Sequence, residues 1–286
     1  MHFNMMVFDP PGHPYTHFLF DIVRTFQGGF RTLGYDCSIT RNSTGPGAMN
    51  ILVGSHLVGS TKFVDDAINS GVKYVLLQSE VLVDTDERFR KILVPLARGA
   101  VAVWDWCEKN VEALARHDIK AEIIKLGYDA AVEELHHAEH RDIDFCFFGS
   151  MSEHRLKILQ KLESLGYVVK WMFADPAIYR NSMIEHSEIA LSLNFGEYTH
   201  VPGNRIIHLV SNSCLVVGES GPEMGDLAEV FCWEKPDRVV ELCREVRALP
   251  ALERREMAYV FHDRLKALRP MSECLKPAIA SLLENS

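Results

Sequence analysis

The chain lacks the short motifs by which many catalytic and cofactor-binding sites are recognised. Its 286 residues contain no P-loop, no HExxH zinc motif, no GxSxG nucleophile turn and no complete GxGxxG turn. Its seven cysteines form no CxxC pair, so a cysteine-based structural zinc site is not expected. These absences argue against several large enzyme classes, and the motifs support neither a structural zinc site nor a dinucleotide cofactor, so no cofactor is expected.

The chain is also short of basic residues and of long apolar runs. It has 30 Lys and Arg against 39 Asp and Glu, and the net charge of −9 argues against nucleic acid as the main partner. No segment approaches the length of a membrane span. The apolar residues 2–8 lack a basic leader and are stopped by Asp9, so no secretory signal is expected. With an odd number of cysteines, free thiols in a reducing compartment fit best, and we expect a cytoplasmic protein.

Strand-like and helix-like patterns alternate along both halves of the chain. Continuous apolar runs such as residues 50–53 and 143–148 are typical of buried parallel strands, and amphipathic segments such as 87–98 and 153–165 are predicted as helices. This alternation predicts an α/β fold with two Rossmann-like, doubly wound parallel sheets. We place the first domain at residues 1–128, the second at 141–260 and a helical tail at 261–286.

A polar, charged segment connects the two halves at residues 130–141. It contains the cluster His136, His137, Glu139 and His140, which raises the question of a metal site. Neighbouring positions point to different faces of a helix, so these side chains are poorly placed to share one ion. We therefore predict a solvated linker here and no metal.

Residues 191–219 form the segment richest in potential ligand-binding groups. They are predicted to form a buried strand, a polar loop with Asn194 and Tyr198, a helix opened by Asn204 and Arg205, and a second buried strand. A parallel sheet places such a loop at the carboxyl end of its strand, where α/β proteins bind ligands. A helix N-terminus and an arginine both favour phosphate. The alternative for Arg205 is a structural salt bridge, for example with Glu219.

A second candidate phosphate contact follows the first strand of the second half. Gly149-Ser150 lies between that strand and a helix, where a small turn allows a diphosphate to approach the backbone. Arg155, one turn into the helix, either reaches a phosphate or lies in solvent. The alternative is an ordinary strand-to-helix turn in which Ser152 caps the helix.

Candidate general bases recur at the predicted strand ends of the first half. His17 follows the first strand, His56 follows residues 50–53, and Glu80 follows residues 73–77. Transfer to a hydroxyl needs a group that takes its proton, and histidine or a carboxylate is usual. Each of these residues alone is a weak signal, but their position at one sheet edge predicts a functional cluster.

Several segments match a known family in order and spacing. They are PYTH at 14–17, NILVGSHL at 50–57, Tyr74 with Gln78 and Glu80, LGY at 126–128, DID through GS at 142–150, and NR at 204–205 through VVGE at 216–219. On these segments the chain resembles bacterial glycosyltransferases of the GT-B class, in particular family-one-like or CgeB-like proteins. Enzymes of this class have two Rossmann-like domains that face a cleft.

The resemblance implies transfer of a sugar from a nucleotide-sugar donor to a hydroxyl of a glycan, glycolipid, natural product or protein, without an obligatory metal. The donor would lie mainly on the second domain and the acceptor mainly on the first, and the C-terminal helices would brace the first domain. The residues that would face the nucleotide diphosphate are Gly149, Ser150, Asn194, Tyr198, Asn204 and Arg205.

One departure from the family pattern concerns the ribose. Many GT-B enzymes have an acidic residue where this chain has His208, and a glycine where it has Ser213. His208 can still hydrogen-bond a ribose, and Glu219 is a possible substitute. Two further functions therefore stay open, a nucleotide-sugar epimerase or hydrolase, and a non-catalytic nucleotide- or sugar-binding partner subunit. A homodimer through Phe231-Cys232-Trp233 or the C-terminal helices is also open.

Overall fold

The computed structural model of the chain describes residues 1–12, 16–82, 87–173, 176–196 and 200–284. The chain divides into two compact units. Unit 1 comprises Met1–Asp129 together with Met271–Ser286, and unit 2 comprises Ala130–Pro270. Each unit contains one parallel sheet with helices, as the alternating pattern predicts.

Unit 1 is built on a six-stranded parallel sheet in the order β2-β1-β3-β4-β5-β6. Its strands are β1 (His2–Val7), β2 (Asp36–Arg41), β3 (Met49–Val53), β4 (Tyr74–Leu77), β5 (Ala102–Asp105) and β6 (Glu122–Ile123). Its first helices are α1 (His17–Thr32), α2 (Thr61–Asn69), α3 (Val94–Gly99) and α4 (Glu108–Ala115). Every residue of β3 and β4 is buried, as expected for central strands covered on both faces.

The helix predicted over residues 87–98 is interrupted in the structure. Residues 87–88 are α-helical, Phe89–Leu93 forms a π-helical turn, and the longer α-helical part, α3, begins at Val94. Pro95 stands in the first turn of α3, where its missing N–H is tolerated, whereas inside a continuous helix it would remove a hydrogen bond. The proline therefore explains why the amphipathic pattern does not give one uniform helix.

Unit 2 is built on a five-stranded parallel sheet in the order β11-β10-β9-β7-β8. Its strands are β7 (Ile143–Phe148), β8 (Val169–Met172), β9 (Ser187–Ser192), β10 (Val216–Glu219) and β11 (Cys232–Glu234). Its helices are α5 (Glu153–Ser164), α6 (Ala177–Glu185), α7 (Gly203–Ser211), α8 (Val239–Ala248) and α9 (Ala251–Leu268). The side chains of β7 and β9 pack with α5 and α8 around Phe145, Ile189 and Leu191, which have no exposed surface.

The two C-terminal helices are divided between the units. Helix α9 packs on α7 within unit 2, with Leu265 fully buried, whereas α10 (Met271–Glu284) packs on α1 of unit 1. Gly29 of α1 permits this close contact, because a Cβ there would lie 2.9 Å from side-chain atoms of both Met271 and Leu275. Residues 261–268, which the sequence analysis places in the tail, thus lie in the second half of α9.

Two sequence expectations concern the whole chain. All seven cysteines are free, five of them buried and two half-buried, which agrees with the expected reduced thiols. Within the described ranges, none of the helices has the length and apolar character that crossing a membrane would require.

Candidate functional site

In unit 2, the order of the strands reverses between β7 and β9. The chain leaves β7 toward β8 on one side and later returns to β9 on the other side of β7. Ligands of open α/β sheets bind at such a switch point, beyond the carboxyl ends of the strands. The loops that begin there contain Gly149-Ser150 after β7 and Asn194 after β9. The topology therefore brings two of the predicted ligand-binding segments to one place.

Arg155 is a buried brace of this switch point. It lies in the first turn of α5, which begins because the Ser152 hydroxyl accepts a hydrogen bond from the Arg155 N–H at 3.2 Å. Its guanidinium donates to the carbonyl oxygens of Leu193 at 2.8 Å, Asn194 at 3.0 Å and Ser150 at 2.6 Å. The side chain is only 5 % exposed, so Arg155 does not lie in solvent, which is one of the two alternatives that the sequence leaves open. Arg155 ties the loops after β7 and β9 together.

Arg205 lies beside Arg155 and is less fully engaged. It stands in the first turn of α7, stacks over the rings of Phe147 and Phe148, and donates from Nη1 to the Leu193 carbonyl at 3.1 Å. Its Nε has no hydrogen-bond partner among the described residues, and within the same ranges no carboxylate pairs with it. The alternative considered for Arg205, a structural salt bridge with Glu219, is absent from the described structure.

Gly149 is needed because Arg205 approaches its backbone closely. Gly149 has φ +138°, and a Cβ at this position would lie 2.5 Å from Nη2 of Arg205. The conformation and the contact both favour glycine. The missing side chain of Gly149 thus leaves room for the Arg205 guanidinium at the switch point.

Two neighbouring guanidinium groups make this place electropositive. Burial lowers the pKa of Arg155 to about 10, and the nearby Glu219 partly opposes the shift. Burial and repulsion from Arg155 lower the pKa of Arg205 well below its usual value. An anion bound here would relieve that repulsion, since buried charges are stabilised by a partner. The geometry suits a bound anion and leaves Nε of Arg205 as an unsatisfied donor among the described residues.

Glu219 is buried and holds the loop after β9 in place. It ends β10, has no exposed surface, and accepts hydrogen bonds from the Asn194 N–H at 2.7 Å and from His154 Nε2 at 2.6 Å. Burial raises the pKa of Glu219. Asn194 is equally buried and donates its side-chain amide to the Ser220 carbonyl at 3.0 Å. Neither side chain is open to solvent, so both shape the loop after β9 from within.

The other predicted contacts that the structure describes lie along α7 and just after its end. Asn204 is half-buried and its side-chain oxygen accepts from the Arg205 N–H at 2.9 Å. His208 is 6 % exposed and packs edge-on against Phe148, with ring centroids 6.3 Å apart. Ser213 has φ +53°, the left-handed conformation that explains why glycine is frequent at this position. Tyr198 lies outside the described residues.

Replacing Glu219 with alanine is expected to lower the free energy of unfolding by about 3 kcal/mol, because it removes the acceptor of the half-buried His154 and of the buried Asn194 N–H. Urea unfolding followed by circular dichroism measures the loss. Glu234→Ala is the matched control, since Glu234 is the register neighbour of Glu219 on β11 and is half-buried. Equal stability losses in the two variants would contradict a central role for Glu219.

Unit 1 has its own switch point, between β1 and β3. The chain leaves β1 for β2 on one side and then places β3 and β4 on the other. His17 follows β1 at the start of α1 and is exposed. His56 follows β3 in a short 3-10 turn that Gly54, with φ +85°, makes possible. Glu80 follows β4, so the three predicted bases lie at one carboxyl edge, beyond adjacent strands.

His56 and Glu80 lie within ion-pair distance of each other. Nε2 of His56 is 4.0 Å from Oε1 of Glu80, and the imidazole stacks on Phe18 with ring centroids 6.3 Å apart. Surrounding protein atoms desolvate the Glu80 carboxyl and raise its pKa to about 7, although 45 % of the side chain stays exposed. A carboxyl with this pKa titrates near neutrality, where a general base works best.

Two residues that the sequence analysis did not assign hold Glu80 in position. The Glu80 carbonyl accepts hydrogen bonds from the side-chain amides of Gln78 and Asn110, both at 2.8 Å. The Asn110 side-chain oxygen also accepts a hydrogen bond from the Leu82 N–H at 2.8 Å. Asn110 therefore holds the backbone both at Glu80 and two residues after it. Gln78 belongs to a matched segment of the sequence, whereas nothing in the pattern around Asn110 distinguishes it from an ordinary helix residue.

The chain is similar to known proteins in its three-dimensional structure. No protein-family model matches the chain, and no curated protein matches it. The N-terminal domain of Candida albicans trehalose-6-phosphate phosphatase matches with a TM-score of 0.57 and 9 % identity, over 100 % of this chain and 97 % of that chain. AviGT4, a glycosyltransferase involved in avilamycin A biosynthesis, matches with a TM-score of 0.55 and 12 % identity, over 99 % and 98 %.

A third similar structure is TarM of S. aureus, solved with α-GlcNAc-glycerol and UDP among its ligands. It matches with a TM-score of 0.52 and 12 % identity, over 82 % of this chain, which spans only 55 % of the TarM chain. At identities of 9–12 %, the property shared with these proteins is the fold. The chain has the two-sheet α/β fold of the GT-B glycosyltransferases.

Proposed function

We propose that the protein is a glycosyltransferase that takes a sugar from a nucleotide-sugar donor and transfers it to a hydroxyl acceptor. The observation that carries the proposal is Arg205 at the switch point of unit 2, stacked on aromatic rings, packed against Gly149 and without a carboxylate partner among the described residues. A guanidinium held in this way matches the two oxygens of a phosphate group.

The proposed donor contacts divide into two kinds. Arg205, the backbone of Gly149-Ser150 and the first turn of α7 would contact the diphosphate directly. Arg155, Asn194 and Glu219 would hold the surrounding loops in place, since their side chains are buried and already hydrogen-bonded. Asn204 and His208 lie on α7 where the ribose of the donor is expected, and Tyr198 stays a predicted contact.

The chemical step follows from the roles of these groups. The bond between the anomeric carbon and the diphosphate oxygen breaks, and its electron pair leaves with the nucleoside diphosphate. Arg205 would stabilise the charge that develops on the leaving group, which is the main electrostatic contribution to such a reaction. A bond then forms from the acceptor oxygen to the anomeric carbon, and a base removes the hydroxyl proton. Positively charged side chains take the place that a metal ion has in metal-dependent transferases.

We assign the base to the pair formed by Glu80 and His56. Glu80 has the pKa near 7 that the role requires, and Gln78 and Asn110 fix its backbone. His56 stands 4.0 Å away, where its imidazole can orient the carboxyl or take the proton in its stead. His17 is exposed at the same edge and is the weaker member of the predicted set.

Similar structures support the same class of reaction. AviGT4 is a glycosyltransferase, and TarM was solved with UDP among its ligands. The DNA-modifying β-glucosyltransferase, solved with and without uridine diphosphoglucose, also matches, with a TM-score of 0.53 and 10 % identity over 99 % of this chain.

The proposal is tested by thermal unfolding of the full chain with a panel of nucleoside diphosphates and nucleotide sugars. A ligand present at about a hundred times its dissociation constant stabilises the folded state by about 2.7 kcal/mol. We expect one nucleotide family to give a clear rise in melting temperature. If no member of the panel stabilises the protein, the assignment of the donor site is wrong.

A non-catalytic nucleotide- or sugar-binding protein is the second candidate function. His208 replaces the acidic residue that many GT-B enzymes direct at the ribose, and Glu219 is enclosed by Asn194 and His154. Release of nucleoside diphosphate separates the candidates. A transferase releases it when an acceptor is present, a hydrolase releases it without an acceptor, and a binding protein releases none.

Replacing Gly149 with alanine is expected to lower the free energy of unfolding by about 1–3 kcal/mol and to weaken nucleotide binding at least as strongly as it affects folding. The added Cβ strains the backbone at φ +138° and displaces the Arg205 guanidinium. Gly166→Ala is the control, because Gly166 has φ +89° and open space around its missing Cβ. Calorimetric titration should show normal nucleotide affinity for Gly166→Ala; equal losses of affinity in both variants would contradict a specific Gly149–Arg205 contact.

A further inference from the structure

A small pocket lies at the opposite, amino-terminal edge of the unit 2 sheet. It is lined by His137 and Arg141 from the connector before β7, by Glu188 near the start of β9, and by Arg254, Arg255 and Tyr259 of α9. The proposed donor site uses none of these residues. The sequence analysis treats the connector as a solvated linker, but here His137 is half-buried and hydrogen-bonded to the Asn212 carbonyl at 2.7 Å.

The charges around this pocket do not balance. Three arginines face one carboxylate, and that carboxylate, Glu188, is already paired with Nη2 of Arg254 at 2.9 Å. Arg141 donates to the Ser187 carbonyl at 3.2 Å and Arg255 to the Glu139 carbonyl at 3.1 Å, so both rely on neutral acceptors. Burial lowers the pKa of Arg141, the nearby Glu188 opposes this shift, and repulsion from Arg255 adds a smaller contribution in the lowering direction. The pocket therefore carries excess positive charge.

Donors without acceptors accompany this excess charge. Arg254 is 4 % exposed and well packed, yet its Nε has no hydrogen-bond partner among the described residues, and the same holds for Nε of Arg141. Buried N–H groups without acceptors are rare in folded proteins. An anion with several oxygens would supply the missing acceptors and the missing negative charge together.

His137 adds a hydrogen-bond acceptor to the same lining. Its Nε2 must donate to the Asn212 carbonyl, because a carbonyl oxygen can only accept, so Nδ1 of the neutral ring presents a lone pair. Burial lowers the pKa of His137, which keeps the ring neutral. Among the described residues Nδ1 has no partner. A ligand that combines anionic oxygens with a hydroxyl would satisfy the arginines and His137 at once.

We propose that this pocket binds a phosphate group, either free phosphate or the phosphate of a small sugar or polyol ester, at the edge of the sheet opposite to the donor site. Both sources offer anionic oxygens to Arg141, Arg254 and Arg255 and a hydroxyl to His137. Tyr259, which is 61 % exposed at the mouth, contacts whatever organic part the phosphate carries.

Calorimetric titration of the full chain in phosphate-free buffer tests this assignment, with inorganic phosphate and glycerol 3-phosphate as probes and glycerol as the uncharged control. All titrations use an Arg205→Ala background, which removes the proposed donor contact. Arg255→Ala is the test variant, because Arg255 is exposed and its loss spares the core. Arg244→Ala, on the exposed face of α8, is the matched control.

We expect phosphate to bind in the Arg205→Ala background, and Arg255→Ala to weaken it about tenfold or more while Arg244→Ala leaves it unchanged. Tighter binding of glycerol 3-phosphate than of phosphate identifies an ester as the ligand, and the reverse identifies free phosphate. The proposal is overturned if Arg205→Ala abolishes all phosphate binding, or if Arg255→Ala and Arg141→Ala both bind phosphate as tightly as the control.

Discussion

Arg205→Ala should lower the affinity for the nucleoside diphosphate about 100-fold while leaving the free energy of unfolding nearly unchanged. Two charge-assisted hydrogen bonds to a phosphate group account for about 3 kcal/mol of binding free energy, which corresponds to this factor. Folding depends less on Arg205, because the Leu193 carbonyl keeps its hydrogen bond from Arg155 and the repulsion between the two guanidinium groups disappears. Calorimetric titration and urea unfolding measure the two quantities.

Two further variants show whether geometry or charge is responsible. Arg205→Lys keeps the positive charge but loses the planar, bidentate donor set, so we expect an affinity between those of the wild type and Arg205→Ala. Arg244→Ala removes an exposed arginine of α8 and should bind the nucleotide normally. The assignment fails if Arg205→Ala binds the nucleoside diphosphate as tightly as the wild type does. It also fails if the free energy of unfolding falls by as much as the free energy of binding.

Glu80→Gln is expected to lower kcat by a factor of about 10²–10⁴, the usual contribution of a general base, with little change in the KM for the donor. The base acts in its deprotonated form. Because the pKa of Glu80 is about 7, activity of the wild type should rise as the pH increases through this value and then level off. Steady-state kinetics as a function of pH measure both effects, and Glu80→Gln should lose the rise near pH 7.

The same shift predicts a change in stability with pH. The pKa of Glu80 is raised above its ordinary value of 4.5, so the folded protein holds this proton more firmly than the unfolded chain does. Ionisation of Glu80 therefore lowers the free energy of unfolding as the pH rises from 4.5 to about 7, and Glu80→Gln should show a smaller decrease.

His17→Ala is the kinetic control from the same sheet edge. If His56→Gln abolishes activity while Glu80→Gln keeps it, the imidazole is the base and Glu80 orients it.

The sequence pattern predicts the fold well because the central parallel strands are buried on both faces. Continuous apolar runs such as residues 143–148 coincide with β7, and the two alternating halves become two parallel sheets. The pattern also finds the loops at the carboxyl edges, since strand order fixes where they lie. It places the start of the C-terminal tail at residue 261, inside α9, because the division between the units depends on packing of Met271 against Gly29, far apart in the sequence.

The roles of individual site residues depend on contacts that no spacing reveals. Arg155 and Glu219 have the residue types of ligand contacts, but three-dimensional packing encloses them and gives them loop carbonyls and N–H groups as partners. His154 received no role from the sequence, yet it is the side-chain partner of Glu219. Likewise His137, in a segment with the composition of a linker, is drawn inward by the Asn212 carbonyl.

The central claim is that Arg205 and the turn at Gly149 bind the diphosphate of a nucleotide. The most direct test compares a nucleoside, its monophosphate and its diphosphate by calorimetric titration, with the base that stabilises the protein most in thermal unfolding. We predict that affinity increases with each phosphate and that Arg205→Ala removes the gain from the diphosphate, whereas Arg255→Ala retains it. A diphosphate that binds no more tightly than the nucleoside, or that binds equally to Arg205→Ala and to the wild type, would contradict the account.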